Sequence, residues 1–165
     1  MIEIIPAVDV ASGRVVQAGG DPLEVALGWQ SRGAARLHLV DLDRAFGRGD
    51  NAALMEEVVA ALDIPVQLSG GITTDATLEF ALATGADRVV LALADPDWVA
   101  SVADDKRMVV ALDVRGDLIQ PRGTGVTVGS LDDVLAIVNA RRYIVTDVER
   151  DGSLAGPNLE LLQRV

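Results

Sequence analysis

Two aspartates, Asp9 and Asp113, each stand near the end of an apolar run rich in strand-forming residues. The runs are Ile2-Glu3-Ile4-Ile5-Pro6-Ala7-Val8-Asp9-Val10 and Met108-Val109-Val110-Ala111-Leu112-Asp113-Val114, roughly a hundred positions apart. Glycine-bearing turns follow both, Ala11-Ser12-Gly13 and Arg115-Gly116. Strands buried on both faces of a parallel sheet read as continuous apolar runs. A charge at the carboxyl end of such a strand sits where α/β proteins gather their ligands. Two carboxylates so placed can divide general acid and general base work if their surroundings separate their pKa values. A single Asp there serves equally well to cap the next turn; it is the repetition that favours chemistry.

Other residues at the same level could grip a substrate. Asp147 follows Thr146 at the end of a later run and could assist catalysis or orient a hydroxyl. Gly70-Gly71 after a third run would bare backbone N–H groups, as a phosphate cradle does, and as any tight turn does. The segment Asp151-Gly152-Ser153-Leu154-Ala155-Gly156-Pro157-Asn158 carries the same ambiguity. Arg14, Arg115 and Arg122 lie near strand-end loops and could hold phosphate, although a solvated arginine is the default for each. His38, mid-run among apolar residues, reads as a packed structural histidine, and Trp29 and Trp98 as helix packing residues.

Composition narrows the classes. The 165 residues suit one domain, half of them are hydrophobic, and only 3% are aromatic, so Val, Leu, Ile and Ala must build the core. A formal charge of −11 argues against a nucleic-acid footprint but not against a phosphorylated small molecule. With no cysteine and one histidine, disulfides, thiolate catalysis and multi-histidine metal sites are out of reach. No signal-peptide pattern opens the chain and no apolar run approaches a membrane span, which predicts a soluble, cytoplasmic protein.

Strands and helices must position these groups. Asp21-Pro22 opens a helix closed by Gly33, with Arg14–Gly20 before it as a loop or short extension. Strands are predicted over Ile2–Val10, Arg36–Asp43, Ile64–Ser69, Arg88–Leu93, Met108–Val114 and Tyr143–Val148. Further helices are predicted over Ala52–Leu62, from Thr74 to near Gly85, from Asp95, over Ser130–Val138, and from Pro157 to Val165. Strict alternation predicts a right-handed parallel wind. The second half restarts the first: the fifth strand echoes the first, and Val145-Thr146-Asp147-Val148-Glu149 echoes Leu39-Val40-Asp41-Leu42-Asp43. The expected fold is therefore a (βα)8 TIM-barrel type of two half-barrel repeats, a single domain over residues 1–165 with about six βα units present.

These motifs together resemble the phosphoribosyl isomerases of histidine biosynthesis, and most of all the actinobacterial type that also serves tryptophan biosynthesis. The likeness rests on Ile5–Asp9, His38–Asp43, Leu68–Ile72, Ala111–Gly116, Val145–Asp147 and Asp151–Asn158, and spans the chain. It implies an enzyme that performs the Amadori rearrangement of an aminoaldose phosphate, phosphoribosylformimino-aminoimidazole carboxamide ribotide, to an aminoketose phosphate. In bifunctional members phosphoribosylanthranilate is a second substrate. The resemblance casts Asp9 as general base, Asp113 as general acid and Asp147 as a third carboxylate, with Gly70 and Gly71 in a phosphate loop. Arg14, Gln17, Arg122, Thr146 and Gly152 complete the substrate-binding set, and no metal or organic cofactor is expected.

The departures from the family pattern are serious. The last two βα units and parts of the active-site loops are missing from the pattern. Gln17 stands where bifunctional members carry arginine and where the sister cyclase, an imidazole glycerol phosphate synthase type, usually carries lysine. Leu91-Ala92-Leu93-Ala94 lacks a Gly-Thr phosphate turn, and Arg122-Gly123-Thr124-Gly125 lacks a tryptophan. Two explanations are open. If the chain is part of a longer barrel, the favoured one, the protein is expected to be a monomer. If it is truly short, its bare strand edges should drive self-association, and a non-catalytic barrel fragment becomes the competing reading.

Overall fold

The computed structural model describes residues 2–17 and 19–165. It divides into two compact units, the first running to Val90 and the second from Leu91 to Val165. Among the described residues no helix is long and apolar enough to cross a membrane.

In the first unit the elements run β1 (Ala7–Ala11), β2 (Arg14–Val15), α1 (Pro22–Ser31), β3 (Leu37–Asp41), α2 (Leu42–Ala45), α3 (Ala52–Ala61), β4 (Val66–Ser69), α4 (Asp75–Ala83) and β5 (Arg88–Ala92), whose end crosses the boundary. β1, β3, β4 and β5 are parallel neighbours, with Ala7 opposite His38, His38 opposite Gln67 and Gln67 opposite Arg88. That register sets a two-residue alternation. Val8, Val10, Leu37, Leu39, Val66, Leu68 and Val89 are buried, together with Ala26, Met55, Val58 and Ala81 of the helices. Asp9, His38 and Gln67 take the opposite face. Helix starts follow the sequence signals: Asp21 accepts from the Glu24 N–H with Pro22 behind it, and Thr74 with Thr77 forms a capping box.

The second unit contains α5 (Pro96–Val102), β6 (Met108–Arg115), β7 (Leu118–Ile119), β8 (Gly129–Ser130), α6 (Leu131–Ile137), β9 (Tyr143–Asp147) and α7 (Leu159–Leu162). β6 and β9 are parallel, Asp113 facing Thr146 and Val114 facing Asp147. Val110, Leu112, Ile119, Leu131 and Val138 are fully buried there. The abrupt step from α6 into β9 is stabilised by Tyr143, whose hydroxyl donates to the Val138 carbonyl at 2.8 Å and accepts the Ala140 N–H at 2.9 Å.

Several boundaries differ from the sequence expectations, each for a local reason. The first strand begins at Ala7, not Ile2, and Ile2 and Ile4 are 93% and 84% exposed. Its partner starts at Leu37, so pairing stops with the His38 N–H donating to the Pro6 carbonyl at 2.9 Å. The second strand stops at Asp41 because the Asp41 carboxylate turns to accept the Arg44 N–H and caps α2, a helix the apolar pattern conceals. A small antiparallel extension, β7 and β8, follows β6 where a plain loop was expected. The last helix is a single turn, ended where Arg164 reaches Asp117 at 2.6 Å and Asp132 at 3.2 Å. Trp29 is not a core residue: it is 38% exposed, with the Arg32 guanidinium 5.7 Å from its ring.

Candidate active site

In the first unit, Asp9 is the central residue of β1 and lines a cavity of about 490 Å³ with Gln17, Glu24, Trp29 and Arg32. Two of the predicted substrate residues, Asp9 and Gln17, are thus brought together. Arg14 sits on the exposed edge strand β2. The turn joining β1 to β2 has positive φ at both central residues, Ser12 at 51° and Gly13 at 72°, as a tight hairpin requires. The Val16 N–H returns to the Asp9 carbonyl at 2.9 Å, closing the hairpin directly behind the carboxylate.

His38, read as a packed structural histidine, is half-buried and has a side-chain partner of its own. It shares its strand face with Asp9, and the Gln67 side-chain amide nitrogen lies 3.1 Å from its Nδ1. Burial pushes the imidazole below its ordinary pKa, against a smaller upward pull from the Asp9 charge and the Gln67 contact, so the ring is neutral at pH 7. Strand parity was the available signal: the register that buries Leu37 and Leu39 turns His38 the other way.

Gly70 and Gly71 have a steric reason for being glycine. Gly70 is buried at φ +116°, and a Cβ there would lie 2.7 Å from the Asp41 backbone nitrogen; at Gly71 it would lie 2.7 Å from the Arg44 carbonyl. The turn after β4 therefore lies backbone-to-backbone against the end of β3 and α2. There, Asp41 is fully buried, Asp43 nearly so, and Asn51 joins them: its Nδ2 donates to Asp41 at 2.7 Å and to Asp43 at 3.0 Å. Asp43 accepts the Ser12 N–H at 2.5 Å; that bond first, then the one from Asn51, holds its carboxyl below the usual range. Both carboxylates brace loops: Asp41 is closed off from solvent, while Asp43 also lines a cavity with Ser12, Arg48 and Asn51. Among the described residues no group of three or more His, Cys, Asp or Glu side chains converges as a metal ion needs.

In the second unit, Asp113 is held by Arg122, whose Nε lies 3.3 Å from Oδ1 and whose backbone N–H lies 3.3 Å from Oδ2. Arg122 also reaches Asp151, Nη2 to Oδ2 at 2.5 Å. Thr146, Asp147 and Gly152 line one cavity of about 300 Å³ with Arg150, Asp151 and Asn158. The Asn158 amide donates to Asp147 at 2.8 Å, and this bond is the main cause holding the Asp147 carboxyl below its ordinary range, with Arg150 adding a weaker pull. Arg115 points to Glu149, 3.6 Å away. The five catalytic and substrate-binding residues expected in this half thus meet in two adjoining clusters, braced by Asp151 and Asn158 from the segment the sequence left ambiguous; Asn51, in the first unit, carried no signal.

Comparison with known proteins matches these elements. The family described as "Histidine biosynthesis protein" covers residues 3–165. A protein of Frankia casuarinae named 1-(5-phosphoribosyl)-5-((5-phosphoribosylamino)methylideneamino) imidazole-4-carboxamide isomerase is 53% identical over 99% of this chain and 72% of its own length. Its counterpart in Acidothermus cellulolyticus is 50% identical over 99% of this chain and 76% of its own length. "Phosphoribosyl isomerase A" of Streptomyces avermitilis is 50% identical over 99% of this chain and 75% of its own length. The alignment with the Frankia casuarinae protein runs over 182 positions, against the 165 residues here, so that relative carries extra internal residues. With the parallel strand–helix order and carboxylates on both halves in place, the chain belongs to the histidine biosynthesis protein family, a family of TIM barrels.

Proposed function

We propose that this protein is a phosphoribosyl isomerase that converts an N-glycosidic aminoaldose phosphate to the aminoketose phosphate, with Asp9 and Asp113 as its acid–base pair. The observation that carries the reading is the 53% identity, over nearly the whole chain, to a protein named as such an isomerase. Asp113 supplies the proton that lets the ribose ring oxygen leave C1′, opening the ring to a protonated imine. Asp9 then removes the proton at C2′, and the resulting enaminol tautomerises to the ketose. Atoms and electrons are conserved within the substrate, so placed carboxylates and a phosphate grip are sufficient. Gly70, Gly71, Arg14, Gln17, Arg122 and Gly152 form the grip, Thr146 orients a sugar hydroxyl, and Asp147 is the third carboxylate. The substrate is the imidazole carboxamide ribotide of histidine biosynthesis. Phosphoribosylanthranilate is the comparison substrate, which the glutamine at position 17 disfavours. As an enzyme of phosphorylated intermediates, it acts in the cytoplasm.

Asp9→Asn and Asp113→Asn test the pair. Each positioned acid or base contributes on the order of 10²–10⁴-fold, so each variant should lose at least about a hundredfold in turnover with unchanged circular dichroism. Undiminished turnover by a folded Asp9→Asn variant would sink the assignment.

A further inference from the structure

We infer that Asn51 is a positioning residue for this reaction, the node through which Asp41 and Asp43 hold the turn that follows Asp9. The inference rests on the isomerase reading for its functional consequence, and on geometry alone for the clamp itself. Asn51 precedes α3 at the N-cap position, yet its side chain makes no capping bond to that helix. An Asn there ordinarily satisfies an orphan helix N–H. Instead, its amide is fully committed elsewhere. Nδ2 donates to Asp41 at 2.7 Å and Asp43 at 3.0 Å, and Oδ1 accepts the Gly13 N–H at 3.0 Å, 38 residues away in sequence. Its backbone N–H adds a further bond to Asp41 at 2.8 Å.

Only an amide fits this position. Two carboxylates need a side chain with two donors, and the Gly13 N–H needs an acceptor beside them. Aspartate would set a third carboxylate against the other two, and leucine would remove the side-chain bond to all three partners, leaving Asp41 and Asp43 only their backbone hydrogen-bond donors and the Gly13 N–H without its acceptor. The clamp also secures a conformation the chain resists: Ser12 has φ 51°, in the left-handed region, and its N–H is bonded to Asp43 at 2.5 Å. At the other end, the Asp41 backbone seats Gly70, and Arg44 seats Gly71. The turn behind Asp9 and the proposed phosphate turn are therefore referenced to one short segment, residues 41–51. A helix cap has been given up to make that reference.

The test uses the whole chain, with Asn51→Leu and Asp43→Asn. Backbone amide exchange at Ser12 and Gly13 is read against the amides of β4, alongside kcat and KM for the imidazole carboxamide ribotide. Asn51→Leu should speed exchange at Ser12 and Gly13 at least tenfold with β4 unchanged, and lower kcat at least tenfold with a smaller change in KM. Asp43→Asn keeps an oxygen for the Ser12 N–H and should fall between wild type and Asn51→Leu on both measures. Wild-type exchange at Ser12 and Gly13 in Asn51→Leu overturns the clamp; faster exchange with wild-type kcat overturns its role in the reaction. Should Asn51→Leu fail to fold, wild-type exchange and turnover in Asp43→Asn overturn the inference. Absent turnover in the wild type rejects the isomerase reading and with it the role in the reaction, while exchange still decides the clamp.

Discussion

Arg122 is bound to Asp113, the residue it is proposed to work beside: Nε to Oδ1 is 3.3 Å, and its Nη2 extends on to Asp151 at 2.5 Å. A guanidinium in that place is a ready partner for a phosphate or carboxylate that displaces one of the two aspartates. Its side chain is 44% exposed, so the ion pairs themselves add little to stability, within about 1 kcal/mol. Arg122→Ala should therefore shift the melting temperature by less than about 4 °C. It should raise KM about tenfold, a loss of roughly 1.4 kcal/mol in substrate binding. Arg122→Lys should recover only part of that, because a point charge cannot reproduce the fork. A wild-type KM for Arg122→Ala, measured by steady-state kinetics, would remove Arg122 from the substrate grip.

The alternation of elements was legible in the chain because caps and apolar runs agree: Asp21-Pro22, Thr74 and Asp95-Pro96 each begin a helix in the structure. Asp9 and Asp113 were legible because a charge ending an apolar run is anomalous. The turn of Asp41 was not, since a carboxylate that caps α2 and one that faces a ligand end a strand with the same letters. Ile2 and Ile4 misled for a related reason, as apolarity marks a strand only where a neighbour is there to pair with it. The Gln67 partner of His38, and Asn51 altogether, escaped the sequence because the contacts, Gln67 to His38 and Gly13 to Asn51, span 29 and 38 residues and only the tertiary register creates them.

The close seating of Gly70 makes a graded stability prediction. In Gly70→Ala the new Cβ would press on the Asp41 backbone, with a nitrogen 2.7 Å away, and φ +116° is a region that L-residues rarely enter. Strain and overlap together should cost about 2–4 kcal/mol. Gly152→Ala is the control: φ is +72° but nothing lies within 4 Å, so backbone strain alone, about 1 kcal/mol, should remain. Urea unfolding midpoints compare the two. Equal midpoints would show that the turn after β4 gives way easily, and that the glycine there answers to something other than packing.

The neutral His38 sets how stability should respond to mild acid. Burial lowers its folded-state pKa below 6.5, so above that value neither the folded nor the unfolded chain carries the proton and folding is not penalised. As pH falls from about 6.5 towards the lowered folded value, the unfolded chain takes up a proton that the folded ring refuses, and stability declines. The depressed carboxylates of Asp43 and Asp147 act in a lower window: their stabilisation is complete above about pH 4 and is lost as pH falls through their folded-state values. Two acid-sensitive contributions should follow, the His38 one setting in at the higher pH. His38→Gln keeps an amide beside Gln67 without a titrating ring, and should abolish the decline that begins at about pH 6.5 while leaving the carboxylate one. Urea midpoints taken at pH 7.5, 6.0, 5.0 and 3.5 for both proteins decide it: a wild-type midpoint flat from pH 7.5 to 5.0, or an unchanged decline in His38→Gln, would show that His38 is not the group responsible.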